Sequence, residues 1–336
     1  MGSRKGRLNG GPLSGPPRGV SVQPGRSGHD SPVTYQARHN RLGGRALASL
    51  VVGVGAISTA AVLVRLCEAP PLAVAAYRLG IAALVLVVVG AFRGSGPAGW
   101  RAAGWCAVAG GLLAVHFAAW IASLALTTVA ASVVLVTMNP LFVAVVSWWW
   151  LGEPPDRRTA VGIAAGLAGA FLIGWGDFGS GREFLAGDLL ALLGAAAMSG
   201  YLLVGRRVQA LLDTRTYVTR VYSVAAALLA AAAALRGELL GPYPARTYGY
   251  FLLLALIPQL LGHTAINHAL RHLTAPRVAA VILGEPVGST LLAWAVLGEV
   301  PRPSTWLGGA LVLGGILLVC WPVRSGEAAG DPAARC

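Results

Sequence analysis

Glu285 stands beside Pro286 near the middle of an apolar run from Pro276 to Leu297. An ionised carboxylate inside such a run is costly unless it is paired or faces an aqueous cavity. In either setting it suits binding an organic amine or exchanging a proton for a solute; the plain alternative is a protonated carboxyl hydrogen-bonded between helices. Pro286 has no N–H to offer the carbonyl of Ile282, and Pro140 leaves that of Val136 equally unanswered. Both prolines are therefore candidate helix breaks that free backbone acceptors, or kinks that only aid packing. Asn139 precedes Pro140 as Glu285 precedes Pro286.

Gln259, His263 and Asn267 recur at i, i+4 and i+8, which on a helix is one face, with His268 close by. A polar stripe of this length does not face lipid: it lines a cavity or joins helices by hydrogen bonds. A histidine near a carboxylate also suits proton relay, because its unperturbed pKa lies near neutrality. His116, Trp120 and Ser123 form a second, weaker stripe, in which packing or interfacial anchoring is the plain reading of the tryptophan. Tyr201 and Thr59 are further cavity candidates. Arg78 lies roughly 10 Å inside its apolar run at 1.5 Å per residue, and a long side chain snorkels only part of that way. Arg220, its approximate counterpart later in the chain, is nearer the end of a run and reads as interfacial. If Arg78 reaches the same cavity as Glu285, one holds a carboxylate and the other an amine, the charge layout that an amino acid requires.

What must position these residues is a set of membrane-spanning helices. Hydrophobic residues make up 56% of the 336 and charged residues 12%, about half the charge of an average soluble domain. Apolar stretches recur almost end to end, most of them long enough to cross about 30 Å of hydrocarbon. Lipid leaves no backbone group unpaired, so the spans are helices, and a transmembrane barrel would instead show alternating segments of about ten residues. The pattern predicts an all-α integral membrane protein with ten spans between about Ala46 and Pro322. Residues 1–43, rich in Gly, Pro, Ser and Arg, read as a disordered tail, and residues 324–336 as a second tail.

The net charge of +13 does not require nucleic acid, because eight of the 26 basic residues lie between Met1 and Arg45 and most others in short loops. Placing both termini in the cytoplasm puts nineteen basic residues on the inner side and five on the outer, as the positive-inside rule asks. Cys67, Cys106, Cys320 and Cys336 fall in unrelated segments with no CxxC pair and no histidine at ligand spacing, so they read as unpaired thiols; neither a metal nor a cofactor is expected. No GxxxxGK[ST] occurs and no loop has room for a nucleotide-hydrolysing domain.

An internal repeat organises the spans. Thr128 to Trp175 aligns without a gap on Thr274 to Trp321 at an offset of 146, matching Pro140 with Pro286, Trp148 with Trp294, Leu151-Gly152-Glu153 with Leu297-Gly298-Glu299, and Trp175 with Trp321. The repeats are expected at 44–176 and 177–323. Each holds five spans, an odd number, so the second copy enters the membrane with the opposite sense. Inverted repeats of this kind suit alternating access, with a solute site near the midplane where they meet. Small-residue pairs, Gly162 with Gly166 and Ala310 with Gly314, allow close helix contact within one chain or between two, so monomer and homodimer both stay open.

Asn139-Pro140 followed by Leu151-Gly152-Glu153, and Glu285-Pro286 followed by Leu297-Gly298-Glu299, together with Tyr77-Arg78-Leu79, resemble the EamA-type family of the drug/metabolite transporter superfamily. The resemblance covers about Ala46 to Trp321. It implies ten helices, cytoplasmic termini, a central cavity and transport of small solutes, often export of amino acids or other metabolites. The histidines and asparagine of the eighth span are not typical of that family. The expectation is thus a secondary transporter in a bacterial cytoplasmic membrane, surrounded by lipid, with a small-molecule substrate, proton coupling as an option and no nucleic acid. Its substrate-binding residues are expected to be Glu285, His263, Asn267, Asn139, Arg78, His116, Trp120, Gln259 and Tyr201. A broad cation exporter using Glu285 alone is the nearest rival. An intramembrane enzyme built on His263, His268 and Glu285 is another, though HExxH and GxSxG are both absent.

Overall fold

A computed structural model describes residues 2, 44–91, 99–175 and 181–321. The two expected tails, apart from Gly2, and the boundary between the repeats at 176 and 177 lie outside the described residues. Ten helices follow one another: α1 Gly44–Leu66, α4 Val129–Leu151, α8 Ala245–His272 and α9 Ala275–Leu297, α2 Pro71–Ala91, α3 Trp100–Leu126, α5 Arg157–Gly174, α6 Arg182–Val208, α7 Thr214–Leu235 and α10 Pro303–Cys320. Nine of these, among the described residues, are long and apolar enough to cross a bilayer. The other, α5, spends the first two of its 18 residues on Arg157 and Arg158.

Local chemistry sets the helix ends. Thr128, Asp156 and Asp213 each accept a hydrogen bond from the backbone N–H three residues on, capping α4, α5 and α7. Gly152 and Gly298 close α4 and α9 with φ of 65° and 73°, a left-handed turn that costs glycine nothing. Side chains that project outward are apolar: Leu84, Val145, Leu189, Leu228 and Leu317 are all exposed, as a face meeting acyl chains must be.

The repeat is visible in the packing of α5 against α10. A methyl group added at Gly162 would lie 2.7 Å from the Gly315 oxygen, and one at Gly315 would lie 2.6 Å from the Gly162 oxygen. Gly169 and Gly308 stand in the same relation, at 2.5 Å each way. At the offset of 146, Gly162 corresponds to Gly308 and Gly169 to Gly315. Gly162 thus touches the counterpart of Gly169, and Gly169 touches the counterpart of Gly162, the reciprocity a two-fold axis creates. Position rises along one helix as it falls along the other, so the two run antiparallel and the repeats are inverted. No hydrophobic force drives helices together inside lipid, and glycines gain van der Waals contact by letting the backbones touch.

Of the small-residue pairs, Gly162 packs on α10 and Gly166 on Leu283 of α9, both within the chain, whereas Gly314 has nothing within 4 Å. Gly308→Leu should therefore cost about 1–3 kcal/mol by overpacking, read as a lower Tm of the detergent-solubilised protein. Gly314→Leu should leave Tm unchanged; equal losses at the two positions would refute the seam.

Candidate functional site

Four helices lose regular winding at mid-depth. In α4 the first half stops at Val136, where Thr137 turns its hydroxyl back onto the carbonyls of Val133 and Val134 at 2.8 and 3.0 Å, and the second half starts at Asn139. In α9 the halves are Ala275–Ile282 and Glu285–Leu297. Pro140 and Pro286 sit in the first turn of each second half, where the missing N–H does no harm. The expected breaks are present. The two others carry weaker sequence signals: α1 breaks at Ser58 and Thr59 without a proline, and α8 winds as a π-helix from Ala255 to His263 around Pro258.

These interruptions surround a small cavity of about 20 Å³ lined by Arg78, His116, Phe117, Trp120, Asn139, His263 and Glu285, with Val136 and Ile282 beside them. Those last two residues own the carbonyls that the prolines release. At this volume the cavity holds about one water, so it must widen to take an organic solute.

Arg78 of α2 is 0% exposed. Its Nε donates to Gln259 Oε1 at 2.9 Å, and the guanidinium carbon lies 4.1 Å from the centre of the Phe117 ring and 6.0 Å from that of Trp120. An aromatic face of this kind favours a cation that water no longer reaches. Both terminal nitrogens of Arg78 have no hydrogen-bond partner, and neither do Trp120 Nε1, His263 Nδ1, Gln259 Nε2 or either side-chain polar atom of Asn139. Native interiors hold few such atoms, and each is normally satisfied, so a concentration around one cavity marks a site built for something else to bind. Glu285 shares the cavity, and no ion pair among the described residues joins it to Arg78. A guanidinium and a carboxyl group therefore stand in one small space without being joined to each other.

The histidines come from equivalent helices of the two repeats, α3 and α8, and their rings lie 6.4 Å apart. His116 Nδ1 stands 2.9 Å from the Gly194 oxygen of α6; a carbonyl only accepts, so that nitrogen carries the proton. His116 also stacks on Trp120 at 6.1 Å and 7°.

Of the nine expected binding residues, six line the cavity: Arg78, His116, Trp120, Asn139, His263 and Glu285. Gln259 stands behind them and holds Arg78. Asn267 and Tyr201 do not line it: the Asn267 amide donates to the Tyr201 hydroxyl and to the His263 oxygen, and Gln209 Nε2 approaches Asn267 Oδ1 at 3.4 Å. The supposed single face is divided by its partners: Gln259 is turned to Arg78 of α2, and Asn267 to Tyr201 of α6. Ser123 is tied to Ser132 at 2.6 Å and Thr59 to the Ala56 oxygen at 2.7 Å. His268 pairs with His272 at 4.9 Å; Arg220 is half-buried away from the cavity. Phe117, Thr137 and Met198 line it without having been expected. The only signal for Phe117 was its place beside His116.

At one end of the bundle the repeats are tied by charge. Arg206 of α6 meets Glu153 at 2.9 Å, with side chains 6% and 11% exposed, and donates to the carbonyls of Leu270 and Arg271 at 3.2 and 3.3 Å. Arg277 meets Asp156 at 2.6 Å.

Halves of two broken helices, equivalent by the repeat and meeting at one charged cavity, are the arrangement of a membrane carrier. The description EamA-like transporter family fits residues 44–175 and 185–321, once in each repeat. The chain belongs to the EamA-like transporter family. Among its relatives, the transporter YwfM of Bacillus subtilis (strain 168) is 26% identical over 188 residues, which is 56% of this chain and 63% of that one, so the chain spans less than two thirds of that relative's length. The permease-like protein YdzE of the same strain is 40% identical over 53 residues, 16% of this chain and 68% of its own. One solved crystal structure shares the fold, with a TM-score of 0.69 over 82% of this chain and 97% of its own at 22% identity. The two matched stretches coincide with the two inverted five-helix repeats.

Asp156 lies outside the spans. Burial alone would raise its pKa, but hydrogen bonds from the Thr159 N–H, from Arg277 and from the Thr159 hydroxyl outweigh burial and hold it below the ordinary 3.8. A depressed carboxyl stabilises the fold above the unfolded-state pKa and loses that contribution as pH falls through the folded value. Tm should thus drop between about pH 5 and 3 by more in the wild type than in Asp156→Asn; parallel profiles would show that the Asp156–Arg277 pair contributes nothing.

Proposed function

We propose that this EamA-like protein exports a small zwitterionic metabolite, an amino acid or a close relative, across the bacterial cytoplasmic membrane by alternating access, with both termini in the cytoplasm. The observation that carries this reading is Arg78: a fully buried guanidinium, over the Phe117 ring, whose two terminal nitrogens have no partner. Two parallel N–H groups of a guanidinium match the two oxygens of a carboxylate. Glu285 in the same cavity is the complementary group for an ammonium, and the unpartnered amide of Asn139 and ring nitrogen of His263 offer neutral hydrogen bonds to the remainder.

A broad cation exporter would use Glu285 alone. It would bring a second positive charge beside Arg78 inside a space of low dielectric, where like charges repel strongly. The orientation rests on the distribution of basic residues, nineteen against five. Export rather than uptake follows from the resemblance of the sequence to EamA-type exporters. Glu285 is the residue placed to exchange a proton for the solute.

The reading is checked with protein in inverted vesicles, offered a panel of amino acids and cationic dyes at two pH values. Arg78→Gln should lower transport of zwitterionic amino acids at least tenfold, about the worth of a hydrogen bond to a charged group, and Glu285→Gln should abolish the difference between the two pH values. Wild-type transport by Glu285→Gln at both pH values would remove that residue from the site. Dye transport that survives Arg78→Gln, with no amino acid moved by the wild type, would establish the cation exporter instead.

A further inference from the structure

The two ends of the bundle differ although the repeat makes their parts the same. Glu153 follows Gly152, and its N–H donates to the Ser147 oxygen at 3.1 Å; Glu299 follows Gly298, and its N–H donates to the Ala293 oxygen at 3.3 Å. Both glycines are left-handed, at φ 65° and 73°, so one turn presents both carboxylates in the same way. The arginines correspond as well. Ser199 of α6 donates to the Asn139 oxygen at 3.2 Å, and Ser58 of α1 reaches the Glu285 oxygen at 3.5 Å. Asn139 and Glu285 are repeat counterparts, so Ser58 corresponds to Ser199, an offset of 141. Seven residues on, Arg65 corresponds to Arg206. Arg206 caps the end of α8 through the Leu270 and Arg271 carbonyls, and Arg65 caps the end of α3 through the Thr127 carbonyl at 3.1 Å.

Only one of the equivalent ion pairs is formed. Arg206 and Glu153 join the repeats at 2.9 Å and are nearly buried, and Glu153 Oε2 also accepts from the Ala275 N–H at 3.4 Å. Arg65 and Glu299 are exposed, and no ion pair among the described residues joins them. They line one cavity of about 340 Å³ together with Val129, the counterpart of Ala275, and with Arg302 and Thr290.

We propose that Arg65 and Glu299 form the ion pair that shuts their end of the bundle when the Glu153 end opens, so that two cross-repeat pairs alternate through the transport cycle. This rests on the carrier reading above. In inverted repeats, opening one end and closing the other exchanges the conformations of the halves. The contact that Glu153 makes with Arg206 and the start of α9 then passes to Glu299, Arg65 and the start of α4. Arg206 and Arg65 keep their hold on the ends of α8 and α3 in both states, and only the carboxylates change partner.

The test needs no solute. The full-length chain, with its four cysteines replaced by alanine and Thr290→Cys added in the vestibule wall, is reconstituted in liposomes and labelled with a membrane-impermeant maleimide. Glu153→Gln weakens the formed pair and should slow labelling roughly tenfold, within the range of coupling between residues in contact, because the vestibule closes. Adding Glu299→Gln should restore fast labelling, and the charge exchange Arg65→Glu with Glu299→Arg should keep it slow. Slow labelling that persists in Glu153→Gln/Glu299→Gln, or fast labelling in the charge exchange, would overturn the pair while leaving alternation intact. Unchanged labelling in Glu153→Gln would show that the two ends are not coupled, and the carrier reading would fall with the pair. Oxidation of Arg65→Cys with Glu299→Cys, which leaves the Glu153 end untouched, gives an independent check. A cross-link should form there and not between Arg65→Cys and Thr305→Cys in the same vestibule; equal cross-linking, or none, would count against the pair.

Discussion

Hydrocarbon offers no hydrogen-bond partner, so each polar side chain within these helices is either answered by the protein or gathered where water and solute reach. Ser58 and Ser199 fold their hydroxyls onto carbonyls four residues back, at 2.8 and 2.7 Å. Asn267, Tyr201 and Gln209 answer one another across α8 and α6. Among the described residues, most of what stays unanswered collects around one cavity, between the two halves of α4 and the two halves of α9. The same pressure that covers the outside with leucine and valine thus concentrates unsatisfied nitrogen and oxygen at the centre.

Symmetry supplies the frame within which that chemistry is placed. Helices α5 and α10 touch through their backbones at two pairs of glycines, leaving little room for either to shift alone. The helices that carry the site are looser. Four of them are interrupted at mid-depth, and α8 does so by widening its winding instead of breaking, a form common where a helix meets a functional site. A firm seam at one side and jointed helices around the cavity suit a bundle whose two ends are built alike and closed unequally.

Much of this was legible in the chain itself. Ten apolar runs, an offset of 146 and the Pro140 and Pro286 pair are local or periodic signals, and periodic signals survive folding. Arg78 and Glu285 could be read because charge inside an apolar run has few permissible settings. The rest depended on contacts between distant segments. The ring of Phe117 under Arg78 belongs to another helix and looks, in sequence, like any buried aromatic. Asn267 and Gln259 are off the cavity wall because Tyr201 and Arg78, from two other helices, hold them, and a spacing rule within one helix carries no sign of those partners. The break in α1 has only a Ser-Thr pair to announce it. The meeting of Glu153 with Arg206 lay hidden because a Gly-Glu pair after a helix reads first as a terminus.

One feature of the broken helices reaches further. The backbones of α4 and α9 are near copies, yet one offers an amide at Asn139 where the other offers a carboxyl at Glu285, and Arg78 lies on one side only. The cavity therefore has a fixed electrical direction inside a scaffold that has none. A solute of the kind proposed above, with unlike charges at its two ends, would fit that direction in one orientation only.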